Sequence, residues 1–336
     1  MEGMDRITPT AGKELIARTR PFATQDVTRS WWHVASTLGA LVAAIAVAVA
    51  APWWPLRVVG GLVEALVLVR SFILYHDFMH GALLPASPVT RMLFHIQGVL
   101  LLTPARIWND THNHHHANTA RLSASSAGTF ATWTTDMWRA ASTRQRLAYV
   151  VERHPLTLLF GYITAFLLSL CLVSFVRDPR RYWTSGLAVL VHIALSVLVW
   201  VAFGPAVYFF AFLGPLFVGY ALGAYLFYAQ HNFPEIEISS EDEWTHAGSA
   251  LDASSYLECG PVLAWFTGNI GYHHIHHLNP RIPFYRLPEA MAALPELQHP
   301  RVTTLHPRDV LACLRQNLWE PKLQRMVAYR DARAGM

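Results

Sequence analysis

Eighteen of the 336 residues are histidine, and ten of these fall in three short runs. The first is His76-Asp-Phe-Met-His80, the second His112-Asn-His-His115-His116 and the third His273-His-Ile-His276-His277. Spacings of i, i+3 and i+4 put side chains on one face of a helix, so each run can aim several imidazoles at one place. One such pair arises easily by chance. Three of them together offer eight of the ten imidazoles at these spacings, more than the four donors of a zinc site, and fit two metal ions that each keep an open position. Iron suits oxygen chemistry at open coordination sites. Neutral imidazoles leave more positive charge on such a centre than bridging carboxylates do, which favours attack on an unactivated C–H bond. A bound imidazole usually gives its other N–H to a carboxylate or carbonyl. Asp77, Asp110, Glu235, Asp252 and Glu289 are the nearby acids. His33, His95, His154, His192, His246, His299 and His306 lack cluster spacing and are expected to be structural.

The elements that must hold these runs are apolar. The chain is 53% hydrophobic and 14% charged, which marks a membrane protein. Runs long enough to cross a bilayer occur at Val34–Ala51, Leu56–Tyr75, Leu156–Val176, Leu187–Phe203 and Pro205–Ala229. The first two are joined by Ala-Pro-Trp-Trp-Pro, where prolines break the helix and tryptophans suit the headgroup layer. Arg91, Arg106, Arg121, Arg139, Arg144, Arg146 and Arg153 place the polar stretch from His76 to Pro155 on the cytoplasmic side, together with the N-terminus. Parity then makes Leu156–Val176 an interfacial or re-entrant segment, with the last two runs a second hairpin turned at Phe203-Gly-Pro. The expected fold is an all-α integral membrane protein with about four transmembrane helices in two hairpins, at about 34–75 and 187–229. A cytoplasmic helical cap, 76–155 and 230–336, carries the di-iron site. Residues 1–30 form a cytoplasmic N-terminal segment and 31–336 a single membrane domain. No strand-rich segment is visible, and Asp309–Trp319 has the spacing of a helical tail.

Cys171, Cys259 and Cys313 are scattered and form no C-x-x-C pair, so neither a disulfide framework nor a thiolate metal site is expected. The first apolar run lacks a signal-peptide cleavage pattern. A formal charge of +4 is explained by loops beside apolar runs, and no nucleic-acid partner is expected.

The pattern H-x3-H, H-x2-H-H, H-x2-H-H resembles the membrane fatty acid desaturase superfamily, which also holds related hydroxylases and carotenoid-modifying oxygenases. The likeness runs from about Trp31 through the segment that starts at Gly268 and ends at Glu289. That segment looks like the third histidine box of acyl-lipid desaturases of the omega-6 type. The resemblance implies a metal site of His76, His80, His112, His115, His116, His273, His276 and His277. A further histidine after the last transmembrane helix is matched by His231, in Gln-His-Asn-Phe-Pro. His114 and His274 fall at positions between ligands. The resemblance also implies two iron ions, O2 as co-substrate and an acyl substrate carried as lipid, acyl-CoA or acyl-carrier protein. A separate electron donor of ferredoxin or cytochrome type completes the set. Trp108, Trp244, Trp265 and Phe266 lie near the boxes, where large aromatics are more often core. The first box, His-Asp-Phe-Met-His-Gly, has a spacing shared with some hydroxylases and ketolases. Hydroxylation or ketolation of a lipid or carotenoid is therefore the alternative, and a non-oxidative histidine-rich membrane protein the third.

Overall fold

A computed structural model describes residues 8–123 and 130–334. Residues 1–7 of the expected N-terminal segment, 124–129 of the polar stretch and 335–336 of the tail lie outside it. The fold is predominantly helical, built around a long helix pair. Helix α1 (Pro9–Thr19) precedes α2 (Val27–Ala50), which starts where Asp26 accepts the Arg29 N–H at 2.9 Å. This cap satisfies an otherwise unpaired amide and fixes the helix start, so α2 begins seven residues before the apolar run does. After a break at residues 51–53 the chain returns as α3 (Trp54–Met79). The two pack closely, since a Cβ on Gly60 would come 2.6 Å from the Ala48 backbone nitrogen. Small residues allow this approach where apolar solvent gives helices no reason to associate through greasy bulk. Arg70, buried in α3, donates to Thr37 of α2 at 3.0 Å and to the carbonyl of Trp265.

Among the described residues three helical stretches are long and apolar enough to cross a membrane: Val27–Ala50, Trp54–Met79 and Trp183–Ala229. The third is bent at Gly204, whose φ of 78° and ψ of 175° suit glycine and leave the helix just before Pro205. The chain then doubles back. Ser196 meets Tyr208 at 2.9 Å, and the rings of His192 and Phe212 stack at 5.6 Å. The stretch expected to lie at the interface is a short helix, Pro155–Leu159, followed by a wide π-type helix, Tyr162–Val173. Tyr162 of the latter bonds to His192.

Helix α4 (Pro88–Leu100) and helix α5 (Ala105–Ala117) follow α3, and α5 carries the second histidine run. The turn between them is tied to α3 by the Tyr75 hydroxyl, which donates to the Thr103 carbonyl at 2.5 Å. The third run forms the short helix His273–Leu278. The N-terminal residues pack on its continuation: Asn279 donates to the Thr19 hydroxyl at 2.8 Å, and Arg29 pairs with Glu289 at 2.8 Å.

The cap departs from the all-helical expectation. It contains β1 (Trp133–Thr134), β2 (Tyr256–Glu258), β3 (Val302–Thr304), β4 (Leu318–Glu320) and β5 (Arg325–Val327). Strand β4 pairs parallel with β1 and antiparallel with β5, while β2 pairs parallel with β3. The tail helix expected over Asp309–Trp319 instead spans Pro307–Arg315. It stops because Gln316 turns extended and the Asn317 N–H donates to the Val327 carbonyl at 3.0 Å. The Asn317 carbonyl in turn accepts the buried Tyr149 hydroxyl at 2.6 Å.

Candidate metal centre

Helices α3 and α5, the turn after Gly214–Ala229 and the helix His273–Leu278 converge their imidazoles into two adjacent groups. One consists of His76, His80, His112, His116 and His276, the other of His115, His231, His273 and His277. All nine histidines singled out in the sequence lie in these groups, and within each group the ligand atoms lie within 4.8 Å of one another. The division follows from helix geometry. Consecutive residues point about 100° apart and i, i+4 residues about 40° apart, so His112 and His116 share the first group while His115 joins the second. The third run does the reverse: His273 and His277 enter the second group and His276 crosses to the first. Each double histidine thus straddles the pair of sites, and the rings of His116 and His277 stack between them at 4.1 Å.

The nitrogens are spaced for metals rather than for one another. In the first group Nε2 of His112 lies 3.0 Å from that of His76, 3.1 Å from that of His80 and 3.1 Å from that of His116. Nε2 of His276 is 3.1 Å from that of His116. In the second, His231 Nε2 lies 3.0 Å from His115 Nε2 and 2.8 Å from His273 Nε2, and His277 stands 3.2 Å from His273. Imidazole nitrogens bind a transition metal at about 2.0–2.1 Å, so two ligands at right angles on one ion sit about 3.0 Å apart. A neutral imidazole has one N–H, and nine such rings cannot pair all these nitrogens through protons. The donor set therefore fits two metal ions.

The far side of several rings is held for the same task. Asp77 Oδ1 faces His76 Nδ1 at 3.2 Å, and Asp77 Oδ2 accepts the Phe284 N–H at 2.7 Å. His231 Nδ1 lies 3.1 Å from the Ala253 carbonyl, and His277 Nδ1 lies 3.1 Å from the Thr119 hydroxyl. Such partners fix the tautomer so that Nε2 keeps its lone pair. Thr119 and the Ala253 carbonyl were missed in the sequence. Thr119 sits one turn after His115, bonded to that residue's carbonyl at 2.9 Å, a signal the spacing contains, whereas a backbone carbonyl leaves no trace.

Of the acids expected beside the rings, Asp77 contacts one of the nine. Asp110 is drawn to Arg181 and Tyr182, and Glu289 to Arg29 and Arg286. Glu235 is exposed, and the Asp252 carbonyl accepts the Glu237 N–H. His274 is buried with its Nε2 toward the Leu297 carbonyl at 3.3 Å, and neither it nor His114 enters a group. Trp108 stacks on His112 at 4.6 Å, one helical turn away on the same face, while Trp244 donates to the Thr119 carbonyl at 3.0 Å.

Burial favours the neutral rings that metal binding needs. It holds His80, His112, His115, His116, His273, His276 and His277 well below the usual imidazole range, and crowding by neighbouring imidazoles adds to this. His231 is pushed down to about 4 by burial, against the opposing effect of its bond to Ala253. A cavity of 140 Å³ opens beside the second group, with His115, His231, Leu122, Phe130, Ile236 and Ile238 on its walls.

Known proteins are similar to this chain in sequence. A fatty acid desaturase from Bacillus subtilis is 31% identical over 265 residues, covering 78% of this chain and 74% of its own length. An sn-1 oleoyl-lipid 12-desaturase from Synechocystis is 24% identical, covering 81% of this chain and 77% of its own. A chloroplastic omega-6 fatty acid desaturase from Brassica napus is 23% identical over 81% of this chain and 61% of its own. The family model described as fatty acid desaturase matches residues 50–308, which include all nine histidines. Its apolar helices, its histidine groups and these likenesses make the chain a membrane oxidoreductase that belongs to the fatty acid desaturase family.

Proposed function

We propose that this protein introduces a cis double bond into a fatty-acyl chain, with O2 as oxidant, two electrons from a separate donor and two iron ions held by the nine histidines. The carrying observation is the sorting of these histidines into two groups whose Nε2 atoms stand 2.8–3.2 Å from their neighbours. In the balanced reaction O2 takes four electrons and becomes two waters. The acyl chain gives two electrons and two protons as neighbouring methylenes become an alkene, and the donor's two electrons and two solvent protons supply the rest. When bound, the two irons would supply what no side chain can, reduction of O2 coupled to removal of hydrogen from an unactivated methylene.

The chain's own residues set geometry and exclude water. His76 and His277 are oriented by Asp77 and Thr119, while Trp108 covers one face of His112. The cavity beside His115 and His231 is lined by Leu122, Phe130, Ile236 and Ile238 together with Asn118, Thr119, Arg121 and Thr132, and we read it as part of the acyl path. Holding one methylene near the metals in a dry slot supplies most of what the protein must add. The relatives named for oleoyl lipids favour a lipid-bound substrate over acyl-CoA or acyl-carrier protein. We further read four membrane spans in two hairpins, 27–79 and 183–229, within one membrane domain. Both termini and the metal site then face the cytoplasm, where the arginine-rich stretch points by the positive-inside rule.

Mass spectrometry of fatty-acid methyl esters from host cells with and without the protein tests the proposal. A new acid two mass units below its precursor, absent with His276→Ala, is expected. An oxygenated acid in its place would establish the hydroxylase alternative, and an unchanged profile from iron-loaded protein with a competent donor would refute both.

A further inference from the structure

The chain's positive charge is gathered at one end. Residues 301–336 hold seven Lys and Arg against three Asp and Glu, a surplus of four, and the formal charge of the whole chain is also +4, so the first 300 residues are neutral on balance. This corrects the expectation that loops beside apolar runs explain the net charge, since the positive-inside rule does not account for this end. It acts within about 15–20 residues of a membrane span, and residue 301 lies far beyond the last apolar helix, which ends at Ala229. In the fold, part of this charge lines a single concavity of 660 Å³. Arg308, Arg315, Arg325 and Arg330 stand on its walls with Pro234, Gln316 and one acid, Asp331. All four arginines are exposed. Among the described residues only Arg330 forms an ion pair, with Asp331 at 3.5 Å. Leu311 adds an exposed apolar side chain to the same wall.

This surface is also wired to the candidate metal centre. The Gln316 carbonyl, on the concavity, accepts the Asn232 side-chain amide at 2.9 Å, and the Cys313 carbonyl accepts it at 2.7 Å. Asn232 is buried and adjacent in sequence to His231 of the second group, and its Oδ1 accepts from the buried Arg153 at 2.6 Å. From wall to histidine the connection is one hydrogen bond and one residue of covalent chain.

We infer that the Arg308–Arg315–Arg325–Arg330 concavity docks the electron donor, and that this donor is an acidic, soluble one-electron carrier protein. The inference rests on the desaturase reading for its need of external electrons, and on the charge and the Asn232 connection for its location. Complementary charge speeds encounter and orients the partner. A carrier seated here brings its redox group to the wall nearest Asn232. Each docking transfers one electron, oxidising the carrier and reducing the metal centre, and two dockings complete a turnover.

The test uses the full chain in nanodiscs, iron-loaded, with an acidic [2Fe–2S] ferredoxin as probe. Binding of ferredoxin to immobilised protein is measured for wild type and for Arg315→Glu/Arg325→Glu between about 20 and 200 mM salt, a range over which a surface field is progressively screened. Wild type is expected to bind about tenfold more tightly at low than at high salt, and the variant to lose most of that affinity and of its salt dependence. Turnover with ferredoxin should show the same loss, while turnover with dithionite and methyl viologen stays at the wild-type rate and iron content is unchanged. Equal ferredoxin affinity and salt dependence in wild type and variant would overturn the assignment. So would a variant defect confined to association with phosphatidylglycerol vesicles, which would make this face a membrane contact. Charge-dependent docking without alkene formation under either reductant would leave the surface standing and remove the desaturase reading.

Discussion

Replacing Asp77 by asparagine isolates the task of orienting one ligand. Asp77 is 1% exposed and accepts from two sides, with His76 Nδ1 at 3.2 Å and the Phe284 N–H at 2.7 Å. His76 turns Nε2 toward the first group, 3.0 Å from His112 Nε2, so a ring ligating through Nε2 carries its proton on Nδ1 and donates it to Asp77. Both neighbours are therefore donors, and a carboxylate satisfies both. Asparagine has the same shape but one acceptor, and its NH2 must face either Phe284 or His76, leaving two donors opposed in a site closed to water. A buried polar group left unpaired costs about 1–3 kcal/mol, or roughly 5- to 150-fold in an equilibrium. Outer partners of metal-bound histidines are generally worth about 10- to 100-fold in affinity or activity, so the two routes agree. The assay is iron per chain by mass spectrometry after equilibration against graded chelator, with turnover measured on the same samples and size-exclusion behaviour as the folding control. The expected result is iron loss at about tenfold lower chelator or more, and a matching fall in rate. Iron retention and turnover within about twofold of wild type would refute the reasoning, since the lost acceptor would then carry no free energy.

Further outcomes follow from the same contacts. His231→Ala should abolish turnover and lower iron from two towards one per chain, because it removes the ring central to the second group; two retained irons by metal analysis would exclude it as a ligand. Gly268 has a φ of 52°, and a Cβ there would lie 2.8 Å from Ile73 Cγ2, so Gly268→Ala should destabilise the fold by about 1–3 kcal/mol, read as a lower unfolding midpoint in detergent. Arg153, 2% exposed, donates to the carbonyls of Phe130 and Ala131 at 2.8 and 2.6 Å as well as to Asn232. Arg153→Leu orphans these acceptors and should cost about 2–5 kcal/mol, checked by the same unfolding midpoint. Acid should weaken the metal-free protein: burial lowers His231 and His274 from 6.5 to about 4, so the unfolded chain binds more protons than the folded one between those values. Stability is present above pH 6.5 and is lost as pH falls towards 4; an unfolding midpoint flat across that window would contradict the buried neutral state.

The sequence made eight of the nine histidines legible because each box is local, with spacings that share a helical face whatever the tertiary fold; His231, a lone histidine, was marked by the family resemblance alone. The turn of the second long hairpin was legible for a similar reason, since Gly204 and Pro205 cannot both continue a helix. What lay beyond reach was non-local or carried by backbone. Strand β1 is two residues long and pairs with β4, 185 residues later, too short for any alternation to show and too distant for a turn to mark. The choice of Asp77 over Asp110 and Glu289 depended on which acids arginines from other elements would claim, and Arg181 and Arg29 decided it. The partition of ligands between the two groups is intermediate. Each double histidine, His115-His116 and His276-His277, can only straddle two sites, since neighbouring residues on a helix diverge by about 100°. Which member serves which group then depends on how α5 and the helix His273–Leu278 face each other. The opposed sense of the two boxes has a mechanical consequence: a rotation of either helix that moves one histidine away from one group moves its neighbour away from the other. The two sites are thereby coupled through the same pair of short helices, so a ligand loss on one of them is expected to disturb both irons, whereas His231, which stands on neither, should disturb chiefly its own.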